Sequence, residues 1–235
     1  MRPAFLPIAC FISLIVLLGG VQSSAAEPAD GLHKAAISGM EYYLSLPKGW
    51  HADATWPIVV TIDGAGHNAK GNNASFANAR GALPFIIVTP NVISNGHDPA
   101  ELQAVLEIVE EVRKAVSGQP KFFITGCSAG GHLTWQLVFN HPELLAGAAP
   151  AAANFRFRGV DSVSKAPERV RLPVHEFLGD KDGIRSSLLE QWNDALTLAK
   201  KNGYENFAIT DVPNAGHQPF PREVVLFFAS LLPGK

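Results

Sequence analysis

Apolar positions in this chain come in short unbroken runs, set apart by turn residues and amphipathic stretches. Residues 57–62, 84–89 and 122–124 are such runs, 146–152 is a run of small residues, and 173–178 and 207–212 read as strands that carry polar positions. Short runs without polar alternation read as strands buried on both faces of a sheet. Residues 40–46 (Met-Glu-Tyr-Tyr-Leu-Ser-Leu) alternate instead and predict an early antiparallel edge strand. Helical patterns fill the intervals. Asp98 as N-cap, Pro99 in the first position and Glu101 in the first turn predict a helix through Val116, with Gly118 ending it. Further helices are predicted over 133–139, 187–200 and 222–232. The polar, Asn- and Ala-rich stretch 68–83 reads as a loop with one helical turn. Strands that alternate with helices imply an α/β fold, a mostly parallel sheet covered on both faces.

One of these strands ends in chemistry. The run 122–124 leads through Thr125 into Gly126-Cys127-Ser128-Ala129-Gly130, and an apolar helical pattern follows. Strand, sharp turn and helix is the context that gives G-x-S-x-G its meaning. The flanking glycines allow a tight turn that lifts the Ser128 hydroxyl above the sheet edge, beside a helix N-terminus. A serine nucleophile needs a base, and the base needs an orienting acid. Both follow in order, each just past a predicted strand. Gly179-Asp180-Lys181-Asp182-Gly183 comes after 173–178, and Pro213-Asn214-Ala215-Gly216-His217 after 207–212. Asp182 is the preferred acid, because Gly183 helps the chain turn toward the histidine. Asp180 is its rival, and the aspartate not used would be a helix cap or a solvated turn residue.

The motifs Ile62-Asp63-Gly64-Ala65-Gly66-His67-Asn68, Gly126-Cys127-Ser128-Ala129-Gly130-Gly131, Gly179-Asp180-Lys181-Asp182 and Gly216-His217 resemble those of the α/β-hydrolase superfamily. The chain is most similar to its small secreted esterases: polyhydroxybutyrate depolymerases, feruloyl esterases and acetylxylan esterases. The resemblance spans nearly all of 27–235 and implies a single α/β-hydrolase domain with a minimal cap. It places the nucleophile on Ser128, the base on His217 and the acid on Asp182. In feruloyl esterases and tannases a cysteine beside the serine pairs with one beside the histidine. Here the only other cysteine is Cys10, so Cys127 is read as an unpaired, buried small hydrophobe.

An oxyanion hole requires two backbone N–H groups. Ala129, directly after the nucleophile, is one candidate, and Ala65 in the Gly-rich loop after 57–62 is the other. That loop corresponds to the His-Gly-Gly-Gly type, with Asp63 where many relatives carry histidine. Gly64, Gly66 and His67 are its candidate substrate contacts. Asn154, Phe155 and Arg156, in the irregular stretch before the acid strand, are three more. His132 reads as a packing or capping residue, and Trp192 as a packing residue of its helix. No histidine or cysteine spacing suits a metal, so the expected mechanism uses neither metal nor cofactor.

Composition narrows the partners. The formal net charge is −2 over 235 residues, and no basic block is present, which argues against nucleic-acid binding. Residues 1–26 read as a signal peptide: Arg2, then an apolar 5–18, then Gly19-Gly20 and the small-residue site Ser24-Ala25-Ala26. Cleavage there would leave 235 − 26 = 209 residues and a charge of −2 − 1 = −3. Retention as an anchor is the alternative. Cys10 has too little apolar sequence before it for a lipoprotein. The expected location is periplasmic or secreted, with no stable membrane insertion once the leader is removed. The expected partner is an ester, small or attached to a polymer such as acylated xylan or a polyester. The competing readings are a peptidase of the prolyl-oligopeptidase kind and a non-catalytic binding protein on the same fold.

Overall fold

The computed structural model describes residues 28–94, 96–156, 160 and 162–234, so the leader reading for 1–26 lies outside the described residues. Eight strands form one sheet: β1 (Gly31–Lys34), β2 (Glu41–Ser45), β3 (Ile58–Ile62), β4 (Ile86–Pro90), β5 (Phe122–Cys127), β6 (Leu145–Ala151), β7 (Val174–Gly179) and β8 (Phe207–Val212). Their order is β1-β2-β4-β3-β5-β6-β7-β8. The β1–β2 and β2–β4 pairs are antiparallel, and every later pair is parallel. Central strands β3, β4 and β5 bury every residue, as their unbroken apolar runs require.

Helices α1 (Ala69–Arg80) and α5 (Pro221–Ser230) cover one face with Phe76, Val224, Val225 and Phe228. Helices α2 (Pro99–Ala115), α3 (Gly131–Asn140) and α4 (Arg185–Lys201) cover the other with Val105, Ile108, Leu133, Trp135 and Trp192. Asp98 caps α2 by accepting the Ala100 N–H at 2.9 Å, as predicted.

The predicted loop at 68–83 is instead a 12-residue helix. Asn68 caps it, its Oδ1 accepting the Gly71 N–H at 3.0 Å. Its buried face carries Asn72, Asn73, Phe76 and Arg80. Asn73 donates to the Tyr43 carbonyl at 3.2 Å and to Thr89 Oγ1 at 3.1 Å. Arg80 donates to the Ser45 and Phe85 carbonyls at 2.9 and 3.0 Å. A helix that seats polar side chains on strand carbonyls shows no apolar period, so pattern reading misses it.

Candidate active site

The parallel strands all end at one edge, and the loops there carry every motif singled out above. β5 runs into a single 3-10 turn, Ser128–Gly130, and then into α3. Ser128 has φ +51°, the left-handed region, which costs a non-glycine residue about 1–3 kcal/mol and persists only where the surroundings impose it. Close packing imposes it here. A Cβ on Gly126 would strike the Gly130 carbonyl oxygen and Thr134 Oγ1. A Cβ on Gly130 would strike the Asp63 carbonyl oxygen and lie 2.8 Å from that of Ile62. Gly130→Ala is therefore expected to destabilise the fold by about 2 kcal/mol, seen as a melting midpoint lower by about 4–8 °C. An unchanged midpoint would show that the backbone yields easily.

The Gly-rich loop lies directly beside this turn, because Ile62 of β3 is in register with Gly126 of β5. A Cβ on Gly64 would sit 3.3 Å from both the Cys127 carbonyl oxygen and Ser128 Cβ. The loop closes as a turn, with the His67 N–H donating to the Gly64 carbonyl at 3.1 Å. Ala65, Gly66 and His67 are exposed, while Ser128 and Ala129 are half-buried. The His67 ring donates from Nδ1 to the Val92 carbonyl at 3.2 Å, tying the loop to its neighbour after β4.

Asp182 and His217 form the best-defined pair at this edge. The Asp182 side chain is 0% exposed, and its Oδ2 accepts from His217 Nδ1 at 2.7 Å. Its Oδ1 accepts the Ile184 N–H at 2.9 Å. Asp180 has no such bond among the described residues: its Oδ2 lies 3.8 Å from Lys181 Nζ and its Oδ1 is buried without a partner. The histidine loop is seated by backbone contacts. The Lys181 N–H donates to the Ala215 carbonyl at 2.9 Å, and a Cβ on Gly179 would strike that carbonyl and lie 2.5 Å from the Gly216 oxygen. Glycine at 179 is thus what lets the acid and histidine loops approach.

Burial pushes the Cys127 thiol up to about 12, with Asp63 and Asp182 adding to the effect. The thiol is free and stays protonated, so it is a poor nucleophile.

The 152–156 turn abuts Ser128 from the other side. The Asn154 N–H donates to the Ser128 carbonyl at 2.9 Å. Phe155 corrects its reading as a substrate contact: it is 1% exposed, with its ring centroid 5.6 Å from both Trp135 and Phe139. It fills the core beneath the turn. Arg156, exposed at φ +42°, remains at the surface. His132 is buried and bonds through Nδ1 to the Phe155 carbonyl at 3.0 Å, a packing role. Trp192 packs against Trp135 and Phe207.

Pattern reading also passed over Glu101. Beyond its place in the first turn of α2, its carboxylate accepts the N–H groups of Ile93 and Ser94 at 2.8 and 2.6 Å. It thereby braces the 91–97 loop, whose Gly96 carbonyl accepts from Gln136 of α3 at 3.1 Å. The sequence signal was a glutamate three residues past an Asp N-cap with no serine or threonine to box with.

No family model matches the chain. An alignment 130 residues long, covering 48% of the chain, is 27% identical to poly(3-hydroxyalkanoate) depolymerase C of Paucimonas lemoignei, and the match spans only 31% of that relative's length. Among solved structures, poly(aspartic acid) hydrolase-1 from Sphingomonas sp. KT-1 is similar at a TM-score of 0.68 and 17% identity, over 88% of this chain and 98% of that one. LpqC, a poly(3-hydroxybutyrate) depolymerase from Bordetella parapertussis, is similar at 0.66 and 16%, over 86% and 89%. A feruloyl esterase module from Clostridium thermocellum, solved with sinapinate, is similar at 0.62 and 16%, over 84% of each chain. Likeness at these identities establishes a shared fold, on which sites of different chemistry can be built.

Proposed function

We propose that this chain, whose fold is that of the α/β-hydrolases, is an exported serine esterase that works through Ser128, His217 and Asp182. The observation that carries the reading is the buried Asp182 carboxylate on His217 Nδ1 at 2.7 Å. A proton held on Nδ1 leaves Nε2 as the basic nitrogen of the ring, the tautomer a general base requires. His217 then takes the Ser128 proton as the hydroxyl oxygen attacks the ester carbonyl. The Ala65 and Ala129 amides stabilise the oxyanion, each worth on the order of 3 kcal/mol. The alcohol leaves with the proton from His217, and water attacks the acyl-serine by the same route in reverse.

The substrate class follows from how little covers the site. Only the short segment between Ala151 and Val174 separates β6 from β7, so no cap domain is inserted there. An open edge suits acyl groups carried on a polymer, as in a polyester or an acylated polysaccharide. The similarity to a poly(3-hydroxyalkanoate) depolymerase and to a feruloyl esterase module supports that class. Export is supported by the leader-like pattern of residues 1–26.

The test is a panel: p-nitrophenyl acetate, the matching p-nitroanilide, a polyhydroxyalkanoate film and acetylated xylan. Turnover of esters without the anilide is expected. Comparable cleavage of the anilide would make it a peptidase, and turnover of nothing would make it a binding protein.

A further inference from the structure

Strand β7 reads Val174-His175-Glu176-Phe177-Leu178-Gly179, and its glutamate is wholly buried, at 0% exposure. Glu176 Oε1 accepts the N–H of Ala153 at 3.3 Å. Its Oε2 has no partner among the described residues. Ala153 sits in a constrained place. Ala152 before it has φ +44° and donates its N–H to the Phe177 carbonyl at 2.8 Å. Asn154 after it donates its N–H to the Ser128 carbonyl at 2.9 Å. Ala153 also packs against the start of α3, where a Cβ on Gly131 would lie 2.5 Å from its own Cβ. Gln191 of α4, 7% exposed, supports the same turn. It accepts the Phe155 N–H at 2.9 Å and donates to Asn154 Oδ1 at 3.3 Å. Two buried polar side chains thus grip the inner side of a turn whose next amide holds the backbone of the nucleophile.

We propose that Glu176 is a positioning residue for Ser128: its carboxyl anchors the 152–154 turn, and the turn fixes the Ser128 carbonyl and the start of α3. The proposal rests on the esterase reading above. An apolar residue would fill this strand position without the cost of desolvating a carboxyl, and the bond to Ala153 is what offsets that cost here.

Burial pushes this carboxyl up to about 8, with the Ala153 N–H pulling the other way. The titratable and charged groups on the surrounding elements are His175 beside it on β7, His132 of α3, Glu190, Asp194, Lys200 and Lys201 of α4, Arg156 of the turn, and the Asp211–Arg185 pair at 2.7 Å between β8 and α4. None of them is among the causes of the shift. Glu176 is therefore neutral at pH 7 and becomes an uncompensated buried charge above about 8. Relief comes by loosening the turn, which disturbs a nucleophile that Glu176 never touches. Folding stability has the same origin and a fixed sign. The folded value lies above the ordinary 4.5, so stability is full below about 4.5 and falls as pH rises to about 8.

The experiment measures kcat and KM for p-nitrophenyl acetate from about pH 6 to 10, with melting midpoints over about pH 4 to 9. Wild type is compared with Glu176→Gln and Glu176→Met. In wild type kcat is expected to fall about tenfold from pH 7.5 to 9.5 while KM stays within about twofold. Glu176→Gln keeps a neutral acceptor. It should lie within about threefold of wild type at pH 7 and lose the alkaline fall. Glu176→Met removes the acceptor and should lower kcat at every pH. The midpoint of wild type relative to Glu176→Gln should drop between about pH 4.5 and 8. An unchanged alkaline limb in Glu176→Gln, or a midpoint difference that ignores pH, would overturn the proposal. If Glu176→Gln does not fold, a wild-type midpoint that does not decline across that window overturns it as well. The melting curves need no turnover, so a failure of the esterase reading is told apart from a failure of this one.

Discussion

Ser128→Ala is expected to lower kcat for p-nitrophenyl acetate by on the order of 10⁵-fold. Triad residues act as a unit, so removal of the nucleophile alone forfeits nearly all that the unit supplies, and the residue left comes from the oxyanion amides and binding. The fold should be unaffected. Alanine keeps the Cβ that abuts Gly64, and the φ of +51° strains alanine no more than serine. Ser128→Gly sharpens the point. Glycine adopts this backbone freely, so that variant should be inactive yet more stable by about 1 kcal/mol. A catalytic serine on this strained turn predicts both changes together, whereas a serine of no function there predicts the gain in stability without the loss of activity. Substantial turnover by purified Ser128→Ala would remove Ser128 from the mechanism.

The second large effect concerns the acid. Asp182→Asn should lower kcat by about 10⁴-fold with KM nearly unchanged. The carboxylate accepts from His217 Nδ1 and from the Ile184 N–H at once, and it is closed off from solvent. An asparagine there can turn its NH₂ toward the ring and force the proton onto Nε2, leaving no base for Ser128. Asp180→Asn changes a half-exposed carboxylate whose charged neighbour is Lys181 at 3.8 Å, and should cost less than about tenfold. Kinetics of the two variants side by side decide between the aspartates. The larger loss in Asp180→Asn would reverse the assignment.

Much of the fold was legible in the chain because parallel strands buried on both faces have no polar period to blur them. β3, β4 and β5 are such runs, and the glycine-flanked serine after β5 lies where a strand-to-helix turn must be tight. Order along the chain points to His217 and to a loop with two aspartates, of which the turn at Gly183 favours Asp182. Asp180 and Asp182 are two residues apart on one turn, and spacing cannot say which carboxylate reaches the imidazole. The Gly179 approach to Ala215 and the capture of Ile184 decide it, and both are tertiary.

Elements that bury polar groups were not legible. α1 satisfies Asn73 and Arg80 on strand carbonyls, so its inward face looks like a loop. β1 is short and largely exposed, and only its pairing with β2 makes it a strand. Phe155 stands in an irregular segment where no period indicates which way a ring points, and its seat on Trp135 and Phe139 is a long-range contact. Glu176 is an acid inside a buried strand, and a reading of 173–178 as a strand alone passes over it.

The most direct measurement is to mix the protein with p-nitrophenyl acetate, quench in acid within the first turnovers, digest, and locate the acetyl group by mass spectrometry. An acetyl ester on Ser128, accumulating in wild type and absent from His217→Ala, is the expected result. Hydrolysis that proceeds with no acetylated Ser128, or with the acetyl group on another side chain, would contradict the Ser128–His217–Asp182 mechanism.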